Sequence, residues 1–202
     1  MKWQYFKWFV PIVVVLLVGL FGVRKVMMNP HTKAPVQAVQ AHVKKTKPTK
    51  KKAPQQAVID WRKPSENKPY PDVNQYPNLE FVVSTAKQRV YLKAAGKTLY
   101  TMYASTGVNH ATPTGHYAIQ AERGLHFFNP EVQVGANYYT SWLDHGTYLF
   151  HSVPTDANGH YIAAQAAKLG KKPGSHGCIR LSVPDAKWIY TNAKVGMPVI
   201  VE

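Results

Sequence analysis

Residues 79–107 read LEFVVSTAKQRVYLKAAGKTLYTMYASTG, the clearest structural pattern in the chain. Apolar and polar residues alternate there in short runs rich in β-branched and aromatic side chains. This pattern predicts strands at 79–84, 88–93 and 97–105. The AAGK turn, which contains Gly96, separates the last two strands and indicates a hairpin. The stretch therefore predicts a domain that is mainly β.

Four further segments have strand patterns, and two have helical ones. In 112–119, a turn leads into another strand, and further strands are predicted at 137–143, 147–150 and 197–202. The helices are predicted in the Ala-rich segment 161–170 and in 182–196, which starts with Ser182 as its N-cap. The expected fold class is a mainly β domain over residues 79–202. We expect a compact β-sandwich or mixed sheet with one or two short helices.

Residues 1–28 have the composition of a membrane anchor. An uncharged apolar run covers Phe9–Val23, and aromatic residues extend it back to Trp3. The extended stretch is about as long as a helix needs to cross a hydrocarbon core of roughly 30 Å. No small-residue cleavage pattern follows it, so we expect an uncleaved single-pass transmembrane helix rather than a removed signal peptide. The long domain that follows is expected outside the cytoplasm.

Residues 29–78 are predicted to form a disordered linker, because they are rich in Lys, Pro, Gln and Ala without an apolar period. Val58, Ile59 and Trp61 are the candidates within it for docking on the domain. Residues 1–78 carry 14 basic and 3 acidic side chains, a net charge of +11, against +4 for the rest of the chain. The basic linker indicates an anionic partner. Charge alone leaves nucleic acid, anionic lipid and anionic wall polymers open.

Cys178 is the only cysteine in the chain, which excludes an intrachain disulfide and a zinc site built on several cysteines. A thiol becomes a strong nucleophile when a base or a positive environment favours its thiolate, and His151 or His176 can supply this. The N–H groups around Gly177 can form an oxyanion hole. The same residues also fit a buried, inert cysteine, so their spacing alone leaves both interpretations open.

Residues 151–181 read HSVPTDANGHYIAAQAAKLGKKPGSHGCIRL. This stretch resembles the active-site motif of the L,D-transpeptidase (YkuD-type) family, in which a histidine and a spacer precede Ser/Thr-His-Gly-Cys. The stretch STGVNHATPTGHYAI at 105–119 is similar to another segment of the family. VPDAKWIY followed by VGMPVIV, within 183–201, resembles the closing helix and strand of the family. The resemblance covers about residues 79–202.

The resemblance implies a catalytic role for five residues. Cys178 is the nucleophile, and His151 is the general base and later the acid. Ser152 helps to orient His151 through its backbone carbonyl. His176 shapes the electrostatics of the thiolate, and Gly177 with Cys178 supplies the oxyanion donors. The family chemistry requires no metal ion and no organic cofactor.

Ser175 and Arg180 are expected to bind substrate, although an Arg180 that simply faces solvent is equally consistent with the sequence. Arg180 also stands where the family often has asparagine. The spacer between His151 and Ser175 has 23 residues, longer than the usual form. Its segment 159–172 is therefore a candidate lid.

The resemblance implies acyl transfer on peptidoglycan stem peptides. The thiolate attacks the carbonyl of the third stem residue, D-alanine leaves, and an amine of another stem then attacks the thioester to give a 3→3 cross-link. With water as the acceptor, the enzyme is an L,D-carboxypeptidase.

Three further functions compete with this interpretation. A sortase-like transpeptidase is disfavoured because Thr-Leu-x-Thr-Cys is absent. A zinc hydrolase would have to use His151, His176 and Cys178, a thin ligand set without carboxylates at metal spacing. A non-enzymatic wall-binding module would keep the same residues without using them. The expected partners are stem peptides and the membrane, with wall polymers at the linker, and no nucleic acid.

Overall fold

The structure, a computed structural model, describes residues 58–202. The strands of this part are β1 (Glu80–Ser84), β2 (Arg89–Ala94), β3 (Lys97–Ser105), β4 (Gly115–Ala118), β5 (Arg123–Asn129), β6 (Val134–Leu143), β7 (Tyr148–Ser152), β8 (Ile179–Leu181) and β9 (Pro198–Val201). Its α-helices are α1 (Ala163–Ala166) and α2 (Val183–Asn192). The prediction of a mainly β domain with short helices is confirmed.

The strands form one mixed sheet in the order β4-β9-β1-β2-β3-β8-β7-β6-β5. The pairs β1–β9 and β7–β8 are parallel, and the other pairs are antiparallel. The fold is thus a mixed sheet, one of the two forms predicted. The short strand β8 lies between β3 and β7. The loop that leads into β8 and ends at Cys178, which we call the Cys178 loop, therefore ends beside His151 of β7.

The core lies under the middle of the sheet. Alternate residues of β2 and β3 point into it, and Leu92, Tyr100 and Met102 are fully buried. Phe150 of β7 packs against Phe81 of β1, with ring centroids 5.7 Å apart. Each large apolar side chain buried in this way contributes about 1.5–3 kcal/mol to folding. The core thereby supports the strands that carry the candidate catalytic residues.

Helix α2 closes one side of the core and begins as the sequence predicts. The Ser182 hydroxyl accepts a hydrogen bond from the Asp185 N–H at 3.2 Å, which caps the first turn. Ala186 and Ile189 are fully buried among the core residues. The helix follows β8 directly, so its cap also helps to anchor the end of the Cys178 segment.

Residues 58–78, which we call the strap, differ from the predicted disordered linker, because they pack against the domain. The buried Asp185 carboxylate accepts hydrogen bonds from the hydroxyls of Tyr70, at 2.7 Å, and Ser65. Trp61 is buried, whereas Val58, another docking candidate, is 92% exposed. A few well-placed side chains hold the strap, and composition averaged over a window does not register them.

Two further differences concern the elements near the site. Strand β5 is absent from the predicted set, although the Asn129–Pro130 dipeptide signals the turn that follows it. The predicted helix 161–170 is reduced to the single turn α1, and turns continue from it to Gly170. Gly170 has a φ of +66° and donates its N–H to the Ala104 carbonyl at 2.7 Å.

The predicted membrane anchor, residues 1–28, lies outside the described residues, as does the linker up to residue 57. Among residues 58–202, no helix is long and apolar enough to cross a bilayer.

Candidate active site

Two loops build the site, and backbone hydrogen bonds join them. The Thr106 carbonyl accepts the N–H groups of Gly174 and Ser175 at 2.8 and 3.1 Å. The Val108 N–H donates in return to the Ser175 carbonyl at 3.0 Å. The Ser-Thr-Gly stretch at 105–107 therefore holds the backbone from which the Cys178 loop begins.

Thr112 provides a second link between the loops. Its hydroxyl donates to the Gly177 carbonyl at 2.8 Å and accepts the Gly107 N–H at 2.7 Å. Gly177 has a φ of +143°, and an added Cβ there would lie 2.7 Å from a ring carbon of Tyr148. The loop can approach β7 this closely only because position 177 is glycine.

The Ser175 hydroxyl is used inside the loop. It donates to the Cys178 carbonyl at 2.6 Å and accepts the Gly177 N–H at 3.1 Å. A serine hydroxyl has one proton to donate, so this side chain has no donor left for a substrate. The Ser175 hydroxyl thus shapes the turn, and substrate binding by Ser175 stays a prediction. The Gly177 N–H, predicted as an oxyanion donor, is already occupied, and Cys178 N–H is the remaining member of the predicted pair.

Cys178 is half-buried and lines a cleft of about 860 Å³. Its Sγ lies 3.6 Å from the Thr147 carbonyl oxygen, to which the thiol can donate. Burial raises the pKa of the thiol, while a backbone hydrogen bond from Leu149 and the charge of Arg180 act in the opposite direction. The net effect raises the pKa of Cys178 and favours the neutral thiol.

His151 lines the same cleft from β7 and is buried. Its Nδ1 lies 2.7 Å from the Ser152 carbonyl oxygen, so this nitrogen carries the proton and Nε2 is free to accept one. The ring of Phe127 meets the imidazole edge-on, with centroids 5.5 Å apart. Burial and the charge of Arg180 lower the pKa of His151 to about 3, against the smaller opposite effect of the Ser152 carbonyl.

The other two predicted catalytic residues, His176 and Ser152, differ in burial. His176 also lines the cleft but is exposed, because the backbone bends at 176–177 instead of continuing as a strand. Ser152 is fully buried, and its hydroxyl donates to the Val153 carbonyl at 2.8 Å and accepts the Asn137 N–H at 3.0 Å. These bonds hold the carbonyl that faces the imidazole.

Arg180 is buried, contrary to the hypothesis that it faces solvent. Its Nη1 donates to Gln165 Oε1 at 2.9 Å, and its Nε has no hydrogen-bond partner. Burial lowers the pKa of Arg180 to about 10, which still leaves the guanidinium charged at neutral pH. The segment predicted as a lid thus supplies, through Gln165, a contact to a predicted site residue.

The strap anchors this segment. Trp61 packs against Val153, Ala166 and Leu169, and its ring lies 4.9 Å from that of Tyr161. The segment between β7 and the Cys178 loop, which we call the insertion (residues 153–174), therefore packs around Trp61 and reaches the site residue Arg180 through Gln165.

Sequence reasoning missed Tyr148, Phe127 and Gln165. Tyr148 and Phe127 approach the motif residues through the pairing of distant segments, so the sequence offers no direct signal for them.

For metal binding, residues 58–202 contain no group of three or more His, Cys, Asp and Glu side chains placed to hold an ion.

The L,D-transpeptidase catalytic domain family, YkuD, matches residues 78–201 of the chain. The chain is also 46% identical over 138 residues to YciB of Bacillus subtilis (strain 168), a protein named for the same family. That match covers 66% of this chain and 70% of YciB. The chain therefore belongs to the L,D-transpeptidase catalytic domain family.

Two solved L,D-transpeptidase structures share the fold. The enzyme of Mycobacterium smegmatis matches with a TM-score of 0.51 and 24% identity, over 62% of this chain and 58% of that one. An L,D-transpeptidase of Mycobacterium tuberculosis H37Rv matches with a TM-score of 0.50 and 24% identity, over 62% and 57%. The chain thus spans less than two thirds of the length of these two proteins.

Proposed function

We propose that the chain is a peptidoglycan L,D-transpeptidase that forms 3→3 cross-links through a thioester on Cys178. The observation that supports this most directly is the common cleft of Cys178 and His151, with His151 in the tautomer of a base. Family membership supplies the substrate class, and the volume of the cleft, about 860 Å³, lies within the usual range of ligand-binding clefts.

The reaction proceeds in two acyl transfers. His151 Nε2 takes the thiol proton as Sγ attacks the carbonyl of the third stem residue, and the Cys178 N–H faces the developing oxyanion. The imidazolium then returns the proton to the leaving D-alanine amine, and a thioester remains. In the second half, the acceptor amine loses a proton to His151 as it attacks the thioester, and that proton restores the thiol.

The low pKa of His151 determines which protonation states are present before Sγ attacks. Neutral thiol and neutral imidazole are the resting pair, so the ion pair forms only during attack. The nearby positive charge of Arg180 favours the thiolate and disfavours the imidazolium. Leu149, through its backbone hydrogen bond to Cys178, also favours the thiolate.

The proposed location follows from the same substrate. Residues 1–28 anchor the protein in the membrane as a single-pass helix, with the catalytic domain on the cell-wall side. The basic stretch that follows gives reach and contacts anionic wall polymers. Peptidoglycan stems are extracytoplasmic, so the enzyme and its substrate then share one compartment.

The test is a product assay with the purified chain and tetrapeptide stem donors, with and without an acceptor stem. Mass spectrometry is expected to show a Cys178 acyl-enzyme, loss of D-alanine and a 3→3 dimer. Release of a tripeptide alone would assign the chain as an L,D-carboxypeptidase. Dimer formation by the Cys178→Ala variant would contradict the cysteine mechanism. His176→Ala is the control variant, because it keeps both reacting groups, Cys178 and His151.

A further inference from the structure

A second cavity, of about 460 Å³, adjoins the Cys178 cleft, and we call it the Arg180 pocket. Val132, Val134, Ser175 and His176 line both cavities, so a ligand can extend from one into the other. The insertion supplies the opposite wall through Gln165 and Lys168. The Arg180 pocket is therefore continuous with the Cys178 cleft and is not an isolated cavity.

Within residues 58–202, the guanidinium of Arg180 has no carboxylate partner. Its side chain is 5% exposed, yet among residues 58–202 no carboxylate forms an ion pair with it. The amide oxygen of Gln165 is neutral and satisfies only Nη1, while the buried Nε has no acceptor. A buried charge without a counter-charge is costly, so a fold that keeps one gains free energy when an anion arrives.

The lining of the Arg180 pocket favours an anionic ligand. It contains Arg180, Lys168 and His176, and no Asp or Glu. Three valines and Ala164 supply the apolar part of the wall, beside Gln165, Gly174 and Ser175. The apolar part lowers the local dielectric and strengthens a charge-assisted hydrogen bond. A planar guanidinium held by Gln165 matches a carboxylate better than a lysine would.

The distance to the reacting atoms limits which carboxylate can bind. Arg180 is the middle residue of β8 and follows Cys178 by two residues. Along an extended backbone, this spacing places their Cα atoms roughly 7 Å apart and their side chains on one face. A residue of extended peptide covers about 3.3–3.6 Å. A carboxylate in the pocket therefore belongs within about two residues of the attacked carbonyl.

We propose that the Arg180 pocket binds a free carboxylate of the donor stem peptide next to the scissile bond, and that Arg180 determines specificity for it. This inference rests on the proposed function. The carboxylate is either that of the terminal D-alanine or that on the side chain of the third, diamino acid residue. The insertion contributes through Gln165, which orients the guanidinium toward the ligand.

The experiment compares three donor stems: one with both carboxylates free, one with a C-terminal D-alaninamide, and one with an amidated side-chain carboxylate. Acylation of Cys178 is measured by intact mass against time for the full chain. Amidation of the bound carboxylate is expected to lower kcat/KM roughly 10- to 100-fold, mainly through KM. Amidation of the other carboxylate should change it less than about threefold.

Arg180→Gln is expected to lower acylation by the unmodified donor more than acylation by the sensitive amide, so that the difference between these two donors disappears. Gln165→Ala keeps the charge and is expected to show a smaller loss of the same selectivity. It also replaces Arg180→Gln as the test if the latter does not fold. Equal losses on all three donors would overturn the carboxylate assignment.

Alkylation of Cys178 by iodoacetamide, which is uncharged, separates substrate binding from an effect on the thiol. Under the proposal, Arg180→Gln loses more in acylation by the unmodified donor than in alkylation. Equal losses in acylation and in alkylation would mean that Arg180 acts only by favouring the Cys178 thiolate, and would overturn the proposal. Absence of a Cys178 acyl-enzyme with every donor, despite normal alkylation, would instead refute the transpeptidase function itself.

Discussion

His151 and Arg180 lie opposite each other in register on the parallel strands β7 and β8. The burial of His151 and the positive charge of Arg180 together hold the pKa of the imidazole at about 3. The imidazole is therefore neutral at physiological pH, and its Nδ1 proton faces the Ser152 carbonyl. The arginine thus helps to keep the candidate base neutral, and it also lowers the proton affinity of that base.

The first expected consequence is that His151 does not titrate between about pH 5 and 8, where an unperturbed histidine does. Its ring signals in NMR spectra, identified by their loss in His151→Gln, should stay constant across this range. Arg180→Gln should raise the pKa of His151, because one of its two lowering causes is removed. An inflection for wild-type His151 between about pH 6 and 7 would contradict the buried neutral state.

A second prediction concerns stability in acid. The unfolded chain protonates His151 near pH 6.5, whereas the folded chain resists protonation down to about pH 3. The contribution of His151 to the free energy of unfolding therefore falls between these values, by up to about 1.4 kcal/mol per pH unit. Urea unfolding at several pH values should show a shallower acid loss for His151→Gln. If the unfolding free energies of the wild type and of His151→Gln fall in parallel with pH, His151 does not cause the acid loss.

Gly177→Ala is expected to destabilise the protein by roughly 1–3 kcal/mol and to abolish acylation. The new Cβ would meet Tyr148 at 2.7 Å and the Ala111 carbonyl at 3.0 Å, and the φ of +143° is unfavourable for alanine. Gly159→Ala is the matched control, because Gly159 also has a positive φ but open space around it. Normal acylation by Gly177→Ala would show that the loop tolerates the displacement.

Thr112→Val tests the bridge between the two loops. The variant keeps the side-chain shape but leaves the Gly107 N–H and the Gly177 carbonyl without their buried partner. A stability loss of about 1–3 kcal/mol is expected, with slower acylation of Cys178. Thr112→Ser retains the hydroxyl and should restore most of the acylation rate. If the valine and serine variants acylate equally fast, the hydroxyl does not position the loop.

Trp61→Ala tests whether the strap supports the insertion. Loss of a buried indole is expected to cost about 3–5 kcal/mol of unfolding free energy and to expose the insertion to proteolysis. Val58→Ala is the control, since Val58 is 92% exposed and should have no measurable effect. Unchanged urea unfolding of Trp61→Ala would mean that the strap is only loosely attached.

Local patterns predicted much of the fold. The alternation over 79–105 located β1, β2 and β3 to within one residue, because a strand with one buried face has a period of two. Ser182 marked the start of α2, because the capping bond is local. The strap was misassigned because Trp61, Ser65 and Tyr70 gain their partners only from distant parts of the chain.

The sequence by itself determined the strand pattern, the lone cysteine and the family motif that pairs it with His151. The tertiary structure alone decided that Arg180 is buried, that the Ser175 hydroxyl is used within the loop, and that Gln165 reaches the site. The reason is physical: alternation and capping depend on near neighbours, whereas burial, desolvation and hydrogen-bond partners depend on which strands become adjacent. For Arg180, the adjacency of β7 and β8 and the packing of the insertion produced an environment that no local pattern specifies.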